Sequence, residues 1–208
     1  MQSVPRRGLL RTAALGVTCA VACAAPKETW RGAPPEVLVD VLPRIAELSV
    51  DGAPLGSGPH TVPVPDPAHV YVFRAAAPGF APGERSANGA SLAGTRLGLV
   101  LRPTGFGDAR RLDLDDGAGL AAAAALLART GHHLTALEYA ERAVEVGPEA
   151  PLGHRVLGEA AHALGRRKRA IQEYSTYLQL APDAPDRSVV QRRVEELRGD
   201  LTIPGVGQ

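Results

Sequence analysis

Hydrophobic and polar positions alternate along the first half of the chain. Val37, Val39 and Val41 fall on one face of an extended segment, and four further short segments repeat this two-residue period. Those four contain Ala46, Leu48 and Val50; Val62 and Val64; Val70 and Val72; and Leu97, Leu99 and Leu101. Turn-forming pairs such as Asp51-Gly52 and Pro78-Gly79 separate the segments. The pattern predicts a small antiparallel β-sandwich over residues 36–103.

Three stretches outside the alternating segments are assigned to connections. Residues 83–95 are rich in Ser, Asn, Ala and Gly, so we expect an irregular surface connection there. Residues 104–116 contain several Gly and Asp residues and are predicted to be a linker whose composition permits motion. Residues 23–35 contain prolines and are expected to be a spacer before the first strand.

A different sequence pattern begins at Gly117, where the chain aligns with itself at an offset of 34 residues. Gly131 and Gly165 are predicted to end the first helix of each of two pairs, and Ala136 and Ala170 to let paired helices approach closely. The other aligned positions are Leu137 with Ile171, Val144 with Leu178, Val146 with Leu180, and Pro148 with Pro182. The period predicts two helical units, residues 117–150 and 151–184.

One more amphipathic helix is predicted after these units. Val190, Val194 and Leu197 recur every three or four residues, and charged residues lie mostly opposite them. We expect residues 185–201 to cap the array and residues 202–208 to form a tail. The fold class is therefore α+β and multidomain.

The N-terminus has the pattern of an export signal. Three arginines, at positions 6, 7 and 11, precede an uncharged run of 11 residues from Thr12 to Ala22. This run is about half the length of a membrane-spanning helix, about 20 residues, so an N-terminal anchor is the weaker alternative. Residues 1–22 are predicted to be a signal peptide.

The end of that segment, Ala20-Val21-Ala22-Cys23, resembles the bacterial lipobox. The resemblance implies cleavage before Cys23 and lipidation of its thiol, which would hold the protein to a membrane. Both cysteines lie in this window, so such cleavage leaves Cys23 as the only thiol. The competing interpretation is ordinary cleavage after Ala24, which would release a soluble periplasmic protein.

The turns of the first half resemble those of the PEGA domain family. The matching sequences are Val50-Asp51-Gly52, Gly58-Pro59, Pro67-Ala68-His69 and Pro78-Gly79-Phe80. The resemblance implies a small exported β-sandwich of bacterial envelope proteins, with no catalytic residues. It also implies an alternative function, binding of cell-wall polymer or surface polysaccharide through this domain.

The 34-residue units resemble tetratricopeptide repeats, whose first helices line a peptide-binding groove. The match is strongest in the second unit, where Leu157-Gly158, Gly165, Ala170, Tyr174 and Pro182 are all in register. Carried over by register, the resemblance implies a partner-binding groove lined by Leu152, Arg155, Glu159 and His162. The corresponding face of the first unit is almost all Ala, which suits contact with another helix.

Charge excludes some partners. The chain has 23 Lys and Arg against 22 Asp and Glu, a formal charge of +1, which gives no field strong enough to attract nucleic acid or an anionic membrane. Removing residues 1–22 would leave 20 basic and 22 acidic residues. Residues 166–169, Arg-Arg-Lys-Arg, are the one dense basic run, and solvated helix-start charge is favoured over a headgroup contact there.

Motifs for catalysis are lacking. No phosphate-binding loop, Gly-x-Ser-x-Gly sequence or Cys/His nucleophile pair occurs, and His132-His133 and the Asp113–Asp116 cluster do not have metal-site spacing. We therefore expect no enzyme activity, cofactor or metal. The sequence favours an adaptor or assembly factor that binds protein partners at a bacterial membrane surface.

Overall fold

The computed structural model of the protein describes residues 33–107 and 111–199. Within these ranges, strands occupy the first part and helices most of the second, which confirms the α+β prediction. The strands are β1 (Glu36–Leu42), β2 (Glu47–Val50), β3 (Ala53–Ser57), β4 (His60–Pro63), β5 (Val70–Ala76), β6 (Phe80–Ala81), β7 (Gly83–Asn88), β8 (Arg96–Val100) and β9 (Arg102–Pro103). The helices are α1 (Gly89–Leu92), α2 (Gly117–Arg129), α3 (His133–Val146), α4 (Pro151–Ala163), α5 (Arg167–Leu180) and α6 (Arg187–Gly199).

The predicted signal peptide, Cys23 and the tail at residues 202–208 lie outside the described residues, as does most of the spacer. Within the described ranges, no helix has both the length and the apolar character needed to cross a membrane.

Two sheets share one hydrophobic core. One has the order β4-β1-β8 and the other β3-β2-β5-β7, and a short β6-β9 pair lies apart from them. Val37, Val39 and Val41 of β1 are fully buried and alternate with more exposed residues, as the two-residue period predicts. They meet Leu48 and Phe73 from the second sheet in that core.

The expectation of purely antiparallel pairing is wrong. Strands β1 and β8 run parallel, with Val39 opposite Leu97 and Val41 opposite Leu99. Parallel neighbours need a long crossover connection. Here the chain supplies one, because it passes through the second sheet between β1 and β8.

The expectation of an irregular connection at residues 83–95 is also wrong. Residues 83–88 form β7, which pairs with β5 along its whole length, and residues 89–92 form α1, capped by Asn88. Strand β7 lies at the edge of its sheet and most of its residues are exposed. It therefore carries no hydrophobic alternation from which a strand could be predicted.

The helices α2 to α5 form two antiparallel pairs that repeat every 34 residues. Helices α2 and α4 begin at residues 117 and 151, and α3 and α5 at residues 133 and 167. Gly131 and Gly165 lie in the turns within the pairs with φ of +83° and +71°, conformations that favour glycine. Ala136 and Ala170 are fully buried where the paired helices approach.

The first helical pair packs against the sheets through Tyr139. Its side chain is fully buried, and its hydroxyl donates a hydrogen bond of 2.5 Å to the carbonyl oxygen of Leu101. Its ring stacks on Phe80 with 6.2 Å between centroids. Nearby, the amide of Arg44 donates to a carboxylate oxygen of Glu138 at 3.0 Å. The two parts of the chain are therefore joined by specific contacts as well as by the linker.

Candidate functional site

Three of the four predicted groove residues converge on one cavity. Arg155, Glu159 and His162 lie on the same face of α4 and line a cavity of about 440 Å³. The predicted Leu152, on the first turn of α4, is 40% exposed and does not line it. The structure therefore brings together three of these residues and leaves the fourth on the nearby surface.

Helix α5 contributes one wall through Tyr174. The aromatic ring lies against Gly158, where an added Cβ atom would be only 2.6 Å from a ring carbon. Gly158 therefore admits the ring between α4 and α5. The equivalent positions of the first unit are Ala124 and Ala140, so two small residues there replace a glycine and a large ring.

Helix α6 completes the cavity with residues that the sequence analysis assigned only to a cap. Val189 and Arg193 line it, and Val189 is 57% exposed. These residues come 34 positions after Arg155 and Glu159. Extending the repeat period by one more unit would have predicted them. By sequence position α6 corresponds to the first helix of a third unit, and it packs against α5.

Arg155 is held by two carboxylates. Its Nε lies 2.5 Å from Oδ2 of Asp186, and its Nη2 lies 3.3 Å from Oε1 of Glu159. Asp186 also accepts a hydrogen bond from the Tyr177 hydroxyl, and this bond is the largest cause that lowers the pKa of Asp186. Since Asp186 directly precedes α6, these contacts tie the start of that helix to α4 and α5.

His162 and Arg193 meet at the other end of the cavity. The guanidinium Nη1 of Arg193 is 3.1 Å from Nδ1 of His162 and donates to it, so Nδ1 acts as the acceptor. Burial lowers the pKa of His162, and the charge of Arg193 lowers it further. The imidazole is therefore neutral at neutral pH. Arg193 also lies 3.7 Å from a carboxylate oxygen of Glu196.

The cavity has the chemistry of a binding surface. It presents two guanidinium groups, a carboxylate, a neutral imidazole and the apolar side chain of Val189. Burial raises the pKa of Tyr174 to about 12, so its phenol stays protonated. Mixed polar and apolar lining of this kind suits an extended peptide segment, whose backbone and side chains need both.

A buried pair joins α4 to α5, and no sequence pattern indicated it. His154 Nδ1 lies 2.7 Å from Oε2 of Glu173, and His154 Nε2 lies 2.8 Å from the carbonyl oxygen of Pro148. Glu173 also receives Nε of Arg169 at 3.0 Å. The first unit has Leu120 and Tyr139 at the positions of the pair. Within residues 33–107 and 111–199, no three His, Cys, Asp or Glu side chains are grouped to hold a metal ion.

No protein-family model matches the chain, and no curated protein matches it significantly.

Proposed function

We propose that this protein is a non-catalytic adaptor or assembly factor of the bacterial cell envelope, which binds a protein partner in the cavity between α4, α5 and α6. The convergence of Arg155, Glu159 and His162 on that cavity carries the proposal. Val189 and Arg193 extend the same face onto α6, so a partner segment would cross from one helix to the next. This is how tetratricopeptide-like arrays present a groove, and the 34-residue interval between helix starts supports that assignment.

The PEGA-like assignment of the first part is also a proposal. Its support is that two of the matching turn sequences contact each other. Nε2 of His69 lies 2.8 Å from Oδ2 of Asp51, and Oδ1 of Asp51 accepts a hydrogen bond from the amide of Val72 at 2.8 Å. Motif residues that are far apart in the sequence thus fasten two turns together. In an adaptor, this part would support a short helical array from one side.

Site-specific crosslinking in the native organism tests the groove. A photoreactive amino acid at Val189 should capture a defined partner, whereas the same group at Val70, similarly exposed on β5, should not. The purified partner should then bind the Arg193→Ala variant more weakly than the Arg192→Ala variant. Arg192 is the matched control because it is exposed but does not line the cavity. Equal capture from both positions, or equal binding by both variants, would contradict a partner groove here.

The alternative function, polymer binding through the first part of the chain, gives a different result. Purified cell-wall sacculi should then sediment the intact protein and its Arg193→Ala variant equally well. If neither protein sediments with the sacculi, the result favours the adaptor proposal over polymer binding.

Membrane attachment through Cys23 is proposed from the sequence alone. The intact mass of the native protein should exceed that of residues 23–208 by several acyl chains, and the Cys23→Ala variant should leave the membrane fraction. If both proteins are unmodified, the protein is instead a soluble periplasmic one, and the partner should be sought there.

A further inference from the structure

The turn between α4 and α5 carries the densest positive charge of the described chain. We call residues 164–169 the basic turn; it consists of Leu164, Gly165, Arg166, Arg167, Lys168 and Arg169. Arg166, Lys168 and Arg169 are exposed, and the four cations line a shallow surface depression of about 570 Å³. Arg166 and Lys168 form no ion pair with any residue in 33–107 or 111–199. Two of the four charges therefore point into solvent without a described counter-charge.

The backbone of this turn does not require cations. The first unit has the same turn, in which His132 has φ and ψ of −81° and 55°, against −79° and 62° for Arg166. There the corresponding residues are His132, His133, Leu134 and Thr135, which include no Lys or Arg. The same local structure thus forms without Lys or Arg. Folding of this turn therefore does not require the positive charge of the basic turn.

The cations also lie where the helix disfavours them. Residues 167–169 form the first turn of α5, at the positive end of its dipole, and no acidic residue shares that turn. No side chain caps this end of the helix. Arg169 pairs with Glu173, whereas Lys168 in the same helix turn and Arg166 just before it form no ion pair with a described residue. An external anion would relieve the repulsion that the fold itself leaves in place.

The exposed side chain of Leu164 indicates which kind of anionic partner fits the basic turn. This side chain is 36% exposed and lies next to the cations in the turn. A soluble polyanion offers it no apolar surface. A phospholipid bilayer offers both phosphate groups for the cations and a boundary of acyl chains for the leucine.

We propose that the basic turn binds the surface of an anionic phospholipid bilayer, with its arginines and lysine on the phosphate groups and Leu164 at the acyl boundary. This contact is separate from the partner cavity and does not depend on the proposed adaptor function. It would turn one end of the helical array toward the membrane.

Vesicle flotation of the full chain tests this proposal, with Cys23→Ala in every sample so that no lipid anchor forms. The parent should float with vesicles that contain phosphatidylglycerol, less in high salt, and not with phosphatidylcholine alone. Each cation near an anionic surface changes the partition of a protein between water and the membrane about fivefold. The Arg166→Gln/Lys168→Gln variant should therefore bind these vesicles about 30-fold more weakly than the parent. Leu164→Ser should weaken flotation and leave binding to soluble polyphosphate unchanged.

The matched control is Arg44→Gln/Arg74→Gln, which removes the same charge from exposed positions in the β-rich part. It should float as the parent does. Circular dichroism should show that all variants keep the parent's helix content. The proposal would be overturned if the parent does not float, or if the control variant loses as much flotation as Arg166→Gln/Lys168→Gln. It would also be overturned if Leu164→Ser loses polyphosphate binding together with flotation.

Discussion

Tyr139 joins the helical pairs to the sheets, and the Tyr139→Phe variant isolates the contribution of a single hydroxyl to that contact. The ring and its stacking on Phe80 are kept, while the 2.5 Å hydrogen bond to the carbonyl oxygen of Leu101 is lost. Because the site is fully buried, water cannot replace the missing donor. Leaving a buried carbonyl without this partner costs about 1–3 kcal/mol of unfolding free energy.

Urea unfolding followed by circular dichroism measures this loss. With a denaturant slope of about 2 kcal/mol per M, the midpoint should fall by about 0.5–1.5 M. Tyr174→Phe is the matched control, since Tyr174 is also buried but its hydroxyl makes no hydrogen bond to a described residue. Its midpoint should change by no more than about 0.25 M, equivalent to about 0.5 kcal/mol. The reasoning fails if Tyr139→Phe unfolds at the parent midpoint, or if both variants lose the same stability.

Three further substitutions have expected outcomes. Gly158→Ala places a Cβ atom 2.6 Å from the Tyr174 ring, so thermal unfolding should show a loss of about 1–3 kcal/mol of unfolding free energy. The double variant Gly158→Ala/Tyr174→Ala should lose less unfolding free energy than the sum of the two single variants. Glu173→Ala removes the buried partner of His154 and should cost about 3 kcal/mol, whereas His154→Leu/Glu173→Met should be more stable than that single variant. The backbone amide and imidazole around Asp51 lower its pKa below 3.8. The stabilisation that the Asp51 carboxylate gives is therefore complete above about pH 4 and is lost as the pH falls below that. When the urea midpoint is measured against pH, Asp51→Asn should show a smaller fall at acid pH than the parent does. An unchanged acid limb in that variant would contradict this assignment.

Sequence patterns predicted the strands whose two faces differ in environment. In β1, one face is buried and the other is mostly exposed, so the period of two is visible in Val37, Val39 and Val41. Strand β7 was missed because it lies at a sheet edge with most of its residues exposed, so no hydrophobic alternation marks it. The parallel pairing of β1 and β8 was missed for a related reason, since alternation has no direction.

At the candidate site, the repeat period located residues but did not give their interactions. Register placed Arg155, Glu159 and His162 on one helix face, and the structure shows that all three line one cavity. The same period, carried one unit further, leads to Val189 and Arg193. The pairing of Arg155 with Asp186 could not be predicted, because it depends on how α6 packs against α5 and brings Asp186 to α4.

By itself, the sequence determined what depends on near neighbours in the chain: the strand faces, the helix starts and the turns at Gly131 and Gly165. These follow from side-chain periodicity and backbone preference, which act over a few residues. Only the tertiary structure decided that equivalent positions differ in role: Tyr139 is hydrogen-bonded to Leu101 between β8 and β9, and Glu173 to a histidine. The physical reason is that burial and hydrogen-bond partners come from distant segments, which meet only when the chain has folded.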